Sequence, residues 1–109
     1  MNNIKKIREM IVLGIDKYNV YKYGLYVSSV VGSINNISYK DINNIYNNLV
    51  IHSRKDIVIN GKDIALILNR GFGNYIKDII NDIEKKIIYG ELDNEYDILK
   101  KYILDNYGG

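Results

Sequence analysis

The 109-residue sequence predicts an all-α protein, a compact bundle of about five to six helices. Two observations carry this outside Val20–Ile34, which they leave open. Apolar residues recur at steps of three and four along most of the chain, the spacing that lines one face of a helix. Helix start and stop chemistry also stands where those runs begin and end, as at Ser38 with Asp41 and at Gly90 after a run of isoleucines.

Taken in order, Ile4, Ile7, Ile11, Ile15 and Tyr18 place a first helix over about residues 4–18. The next segment, Val20–Ile34 (VYKYGLYVSSVVGSI), reads two ways: its β-branched and aromatic residues favour a strand, while Tyr23, Val27, Val30, Val31 and Ile34 fit a helical face. Ser38 and Asp41 then resemble a capping box, followed at helical spacing by Ile42, Ile45, Tyr46 and Leu49. The stretch VIHSRKDIVINGK reads as a loop or irregular extended segment. A short helix is expected from Lys62 to Asn69, then an RGFG turn, then a long helix burying Ile76, Ile79, Ile80, Ile83, Ile87 and Ile88 and stopping at Gly90. Glu91–Glu95 is a polar connector into a last helix carrying Ile98, Leu99, Tyr102, Ile103 and Tyr107. There is no internal repeat and no linker. Residues 1–48 and 49–109 read as two regions of one compact unit.

Composition narrows the function. Ile, Asn, Lys and Tyr make up 59 of the 109 residues, and proline is absent. All four have AT-rich codons, which points to a low-GC genome, cellular or viral. There is no cysteine, which excludes a disulfide framework and thiolate chemistry. No apolar run approaches the roughly 20 residues of a membrane span, so a cytoplasmic protein is expected. The net charge of +2 is unevenly spread: residues 1–22 and 50–77 each hold five basic residues against two acids, while 78–109 hold four against eight. Such segregation suits an anionic partner held on one face.

Catalytic chemistry has little to stand on. His52 is the sole histidine, so neither a metal cluster nor a Ser-His-acid triad can be assembled around more than one residue. The alternating acids of DNEYD, Asp93 to Asp97, read as first-turn carboxylates favoured by a helix dipole. No metal and no cofactor are expected. The Gly71/Gly73 pair is a weak dinucleotide fingerprint, because Ile76 occupies the third glycine's place and no strand precedes it. It reads equally as a phosphate seat at a helix N-terminus, flanked by Arg70 and Lys77, or as a sharp corner needing positive φ. A helix-turn-helix over Lys62–Lys86 is a further alternative, but its second helix would expose Asn74, Lys77, Asp78, Asn81, Asp82 and Glu84. Three acids there would be repelled from a groove walled by phosphates.

The segment Ile59–Ile103 resembles the C-terminal tail of bacterial CCA-adding enzymes, the class II tRNA nucleotidyltransferases. Ile59, Gly61, Asp63 and Ile64 match that family's I-x-G-x-D-L opening; Arg70, Gly73, Tyr75, Ile76 and Ile80 match its basic corner and following helix; Gly90, Glu91, Leu92, Asn94 and Glu95 match its connector. Upstream, Leu49, Ile51, Ser53, Lys55, Asp56 and Ile57 match an L-P-I-x-S-x-K-D-L segment. The family prolines are replaced by Val50, Phe72 and Asn74.

The resemblance implies an all-helical body and tail, and so a helical Val20–Ile34. It also implies a grip on the elbow side of tRNA by way of phosphates and 2′-hydroxyls, without the catalytic head and its carboxylates. The side chains it points to are His52, Ser53, Arg54, Lys55, Lys62, Arg70 and Lys77, with Gly71, Gly73 and Asn74 supplying amides and Lys5, Lys6 and Arg8 extending the footprint. Tyr75 reads as a core aromatic, with stacking on an unpaired base as its alternative. The expected function is a non-catalytic protein that binds tRNA or tRNA fragments. Size and composition suit a phage or mobile element, which extends the expectation to an anti-CRISPR factor acting on a host ribonucleoprotein defence complex from the host cytoplasm. The alternatives are a protein-interaction module, such as a split or competing nucleotidyltransferase subunit, and a DNA-binding regulator.

Overall fold

Each helix of this chain begins where a polar side chain or an extended residue meets an apolar run. A computed structural model describes residues 2–108. It contains six α-helices and no strand among those residues: α1 (Asn3–Leu13), α2 (Lys17–Ile34), α3 (Tyr39–Asn47), α4 (Gly61–Leu68), α5 (Asn74–Ile88) and α6 (Tyr96–Tyr107). A single 3-10 turn, Arg54–Asp56, lies between α3 and α4. No helix is long and apolar enough to cross a membrane. The chain divides into two compact units, Met1–His52 and Ser53–Gly109.

In the first unit, the helix expected over residues 4–18 is two helices. Gly14 adopts φ 88°, which ends α1, and its N–H donates to Met10 O at 2.7 Å. Asp16 then caps α2 by accepting the Tyr18 N–H at 3.1 Å. The apolar periodicity runs straight across this break because a glycine corner leaves the spacing of side chains on either side intact. The isoleucines that define α1 are also not its buried face: Met10 is fully buried, while Ile4 and Ile11 are exposed.

Val20–Ile34 is helical, as the family resemblance implies, with an interruption at Gly24 (φ 86°, ψ 170°). That conformation strains any residue with a Cβ. Val20, Tyr23, Val27 and Val31 are buried, and α2 packs on both α1 and α3. At Gly32 the approach is close, since a Cβ there would lie 2.8 Å from Ile42 Cγ1. α3 starts where expected: Ser38 Oγ accepts the Asp41 N–H at 3.1 Å, and Ile42 is fully buried.

In the second unit, α4 packs against α5 and α6. The buried side chains are Ile57, Ile59, Ile64, Ala65, Ile76, Ile79, Ile83, Ile87, Ile88, Leu99 and Ile103, which reproduces the expected face of the long helix except at Ile80, which is half-buried. Asn60 and Asp63 form a reciprocal capping box at the start of α4, with bonds of 2.9 and 3.0 Å. Both α4 and α5 close with paired bonds of the Schellman type. Arg70 N–H reaches Ala65 O and Asn69 N–H reaches Leu66 O; Glu91 N–H reaches Lys86 O and Gly90 N–H reaches Ile87 O. The left-handed residue is Asn69 (φ 52°) in the first and Gly90 (φ 75°) in the second.

Candidate nucleic-acid interface

The basic residues of the second unit are organised by α5. Asn74, Lys77, Asn81 and Glu84 follow at i, i+3, i+7 and i+10, a spacing that puts them along one stripe of the helix. Its lower half is covered by the 3-10 turn. Arg54 Nε donates to Glu84 Oε2 at 3.1 Å, and Arg54 Nη2 donates to Asn81 Oδ1. Glu84 is only 5 % exposed, and a carboxylate taken so far from water requires a cation or hydrogen-bond donors. The Arg54 side chain itself stays 49 % exposed, so one edge of its guanidinium remains open to a ligand.

The turn that carries Arg54 is held from both sides. Ser53 N–H donates to the Asp56 carboxylate at 3.3 Å. Asn94, from the connector before α6, accepts the Val58 N–H at 3.0 Å and donates to Asp56 O at 2.7 Å. This clasp fixes the orientation of Ser53, Arg54 and Lys55. Lys55 and Lys62 are exposed.

The upper half of the stripe begins at the 69–75 corner. Here the glycine pair does not supply the left-handed residue: Asn69 does, and Gly73 is fully extended (φ −174°). Tyr75 is half-buried rather than a core aromatic. Its ring lies 4.1 Å beneath the Arg70 guanidinium, a cation–π stack, and its hydroxyl donates to Gly71 O at 2.7 Å. The N-terminus of α5 carries no side-chain cap and no acid in its first turn. The amide donors and partial positive charge at that end are thus left for an anion, beside Arg70 and with exposed Lys77 a turn further on.

The acids expected to face out from α5 are largely taken up. Glu84, placed on the exposed face by the sequence, is buried with Arg54. Asp82 accepts the Tyr102 hydroxyl at 2.5 Å and the Tyr107 hydroxyl at 2.6 Å, with Lys86 Nζ at 3.6 Å. Partial burial opposes the Asp82 charge, but the two hydroxyl bonds and Lys86 outweigh it and lower its pKa. The same contacts raise the tyrosines. Burial and then the Asp82 bond push Tyr102 far up, while the Asp82 bond and then burial push Tyr107 to about 12. Asp78 alone of the three remains exposed on that helix.

Four of the expected contacts lie in the first unit. Lys5 and Arg8 are exposed on α1 and Lys6 is half-buried. His52 is exposed, and its Nε2 lies 2.9 Å from Tyr46 O; since a carbonyl only accepts, this nitrogen carries the proton. The ring rests on Tyr46 at 4.9 Å, so His52 closes the carbonyl end of α3. The remaining expected residues, Ser53, Arg54, Lys55, Lys62, Arg70, Gly71, Gly73, Asn74 and Lys77, are in the second. No local pattern in the sequence pairs Asn81 or Glu84 with Arg54, and Asn94 is marked only as part of the family's connector motif. Among the described residues no group of three or more His, Cys, Asp or Glu side chains is placed to hold a metal.

Known proteins share this architecture. The chain is similar to the CCA-adding enzyme of Streptococcus agalactiae, at 30 % identity over 94 % of this chain and 27 % of that protein. It is similar to the CCA-adding enzyme of Bacillus subtilis at 39 % identity, over 59 % of this chain and 15 % of that protein. The fold superposes on the crystal structure of the Bacillus stearothermophilus CCA-adding enzyme in complex with CTP with a TM-score of 0.84, at 15 % identity, covering 94 % of this chain and 29 % of that one. The chain thus spans about a quarter of the length of the first relative. The family model for tRNA nucleotidyltransferase domain 2 matches residues 4–103, nearly the whole chain, and the protein belongs to that family.

Proposed function

We propose that this protein is a non-catalytic RNA-binding module that grips tRNA or tRNA fragments. The observation that carries the reading is the α5 stripe. It joins an uncapped helix N-terminus, the Arg70–Tyr75 stack and Lys77 to a clasped turn presenting Arg54 and Lys55. Asn74 and Asn81 are seven residues apart, about 10 Å along the helix axis. Cations and amides spread over such a distance suit successive phosphates and sugars, the parts of an A-form RNA that a protein reaches most readily. Lys62, Ser53 and the amides of Gly71, Gly73 and Asn74 complete the grip of the second unit, and His52, Lys5, Lys6 and Arg8 are proposed as RNA contacts of the first unit by itself. Membership of a tRNA nucleotidyltransferase family supports tRNA as the ligand.

The test is to extract and sequence the nucleic acid that co-purifies with the protein, then titrate that species across salt concentrations. Enriched tRNA with affinity falling steeply as salt rises is expected. A protein that arrives clean and ignores tRNA at low salt refutes the reading. An anti-defence role, suggested by size and composition, has its own assay: expression in cells with active CRISPR interference must restore plaque formation, and unchanged interference ends it.

One observation favours a second reading, a protein-interaction module. On α1, Ile4, Val12 and Leu13 are 64, 85 and 57 % exposed. Stable association with the catalytic portion of a CCA-adding enzyme in a mixing experiment would support it, and a monomer indifferent to that portion would not.

A further inference from the structure

The sequence holds a single phenylalanine, Phe72, and it is 76 % exposed. A single exposed ring is common on protein surfaces, so what distinguishes Phe72 is its setting. The loop around it is built rather than loose. Tyr75 folds back so that its hydroxyl reaches Gly71 O at 2.7 Å, which ties the residue before Phe72 to the first turn of α5. Gly73 permits this, since a Cβ there would meet the Tyr75 ring at 3.3 Å. On the other side Gly71 has nothing within 4 Å of where its Cβ would stand, so the backbone beside Phe72 is open to approach.

The two aromatics of the corner therefore differ in availability. Tyr75 has the Arg70 guanidinium at 4.1 Å over its ring and its hydroxyl is bonded, so it serves as a brace. Phe72 has its ring in solvent. Its chain neighbours are two glycines without side chains, an arginine and an asparagine. A flat exposed ring close in the chain to Arg70 and to a helix start without a side-chain cap is matched by a base with its phosphate. Protein recognition of RNA outside helices works this way, with unpaired bases stacked on aromatic side chains while basic groups hold the backbone.

Resting on the RNA-binding reading above, we infer that Phe72 is a stacking residue for an unpaired RNA base, with Arg70, Lys77 and the open amides at the start of α5 holding the adjoining phosphate.

The sequence contains no tryptophan, so Phe72→Trp installs a unique indole reporter at the tip. Titrating that variant with a tRNA transcript should quench the indole and shield it from iodide. A blunt, fully paired RNA duplex should bind through its phosphates and leave the emission unchanged. In parallel, Phe72→Ala should weaken tRNA binding about tenfold while the salt slope is retained, because no charge is lost. Phe72→Tyr should keep the wild-type affinity. An exposed loop-tip residue can be truncated without unfolding the protein, and circular dichroism checks this. Unchanged indole emission with tRNA bound, or Phe72→Ala binding tRNA as well as the wild type, overturns the inference and leaves the ring to a protein contact. A wild-type protein that binds no tRNA overturns the function on which it rests, a result separable from either of these.

Discussion

Arg54 clamps the buried Glu84, and mutagenesis can separate that task from the RNA contact proposed for it. Glu84 is 5 % exposed and receives the Arg54 guanidinium at 3.1 Å. Removing one partner from a fully buried pair costs about 3–5 kcal/mol, because the other charge is stranded. The Arg54 side chain is 49 % exposed, however, so water can reach the vacated position and part of that cost is relieved. Arg54→Ala should therefore destabilise by about 2 kcal/mol, between a buried and a surface ion pair. For a unit of this size that is a fall in Tm of about 8–16 °C. Adding Glu84→Gln removes the stranded charge, and the double variant should recover at least half of the loss. Thermal unfolding followed by far-UV circular dichroism on the two single variants and the double gives the coupling directly. The same three proteins titrated with tRNA separate clamp from contact. If Arg54 touches phosphate, the double variant stays as weak an RNA binder as Arg54→Ala although its fold is restored. Recovery of RNA binding together with stability would show that Arg54 acts only as a clamp. A loss under about 0.5 kcal/mol for Arg54→Ala would refute the reasoning from burial.

Three further outcomes follow from local geometry. Asn94→Ala deletes both bonds of the clasp on residues 56–58, so a loss of about 2 kcal/mol and faster hydrogen exchange at the Val58 amide are expected. Gly24→Ala should cost about 1–3 kcal/mol through backbone strain alone, since φ is 86° with ψ 170° and nothing lies within 4 Å of the added Cβ; calorimetry of the variant measures it. The Tyr107 hydroxyl is neutral up to about 12 when folded and ionises near 10 when unfolded, so it contributes stability below pH 10 that is lost as pH rises from about 10 to about 12. Urea midpoints across that range should fall with pH, and Tyr107→Phe should make the fall shallower.

The helices were legible because most have one apolar face, and burial of that face is what makes them form. The Ile76–Ile88 run shows this most plainly, with Ile76, Ile79, Ile83, Ile87 and Ile88 all buried as spaced. Where legibility failed, the cause is specific. Periodicity does not register a backbone corner, so Gly14 split a helix that residues 4–18 had promised. In α1 a hydrophobic residue is not evidence of burial, and Met10 rather than Ile4 or Ile11 went inside. Glycine frequency at corners favoured Gly71 or Gly73 for the left-handed residue, but Asn69 had already turned the chain at the end of α4.

By itself the sequence determined the family and the helices outside Val20–Ile34, though not the break at Gly14. Each of these is written in local spacing and short motifs that survive without three-dimensional information. The tertiary structure decided which of the basic and aromatic side chains are free. Arg54 meets Glu84 30 residues away, Asn94 reaches back 38 residues to Asp56, and Tyr102 and Tyr107 close on Asp82 from 20 and 25 residues away. Such pairs form because packing brings distant segments together. No local pattern records them, and they separate the residues that hold the fold from Lys55, Lys77 and Phe72, which face outward.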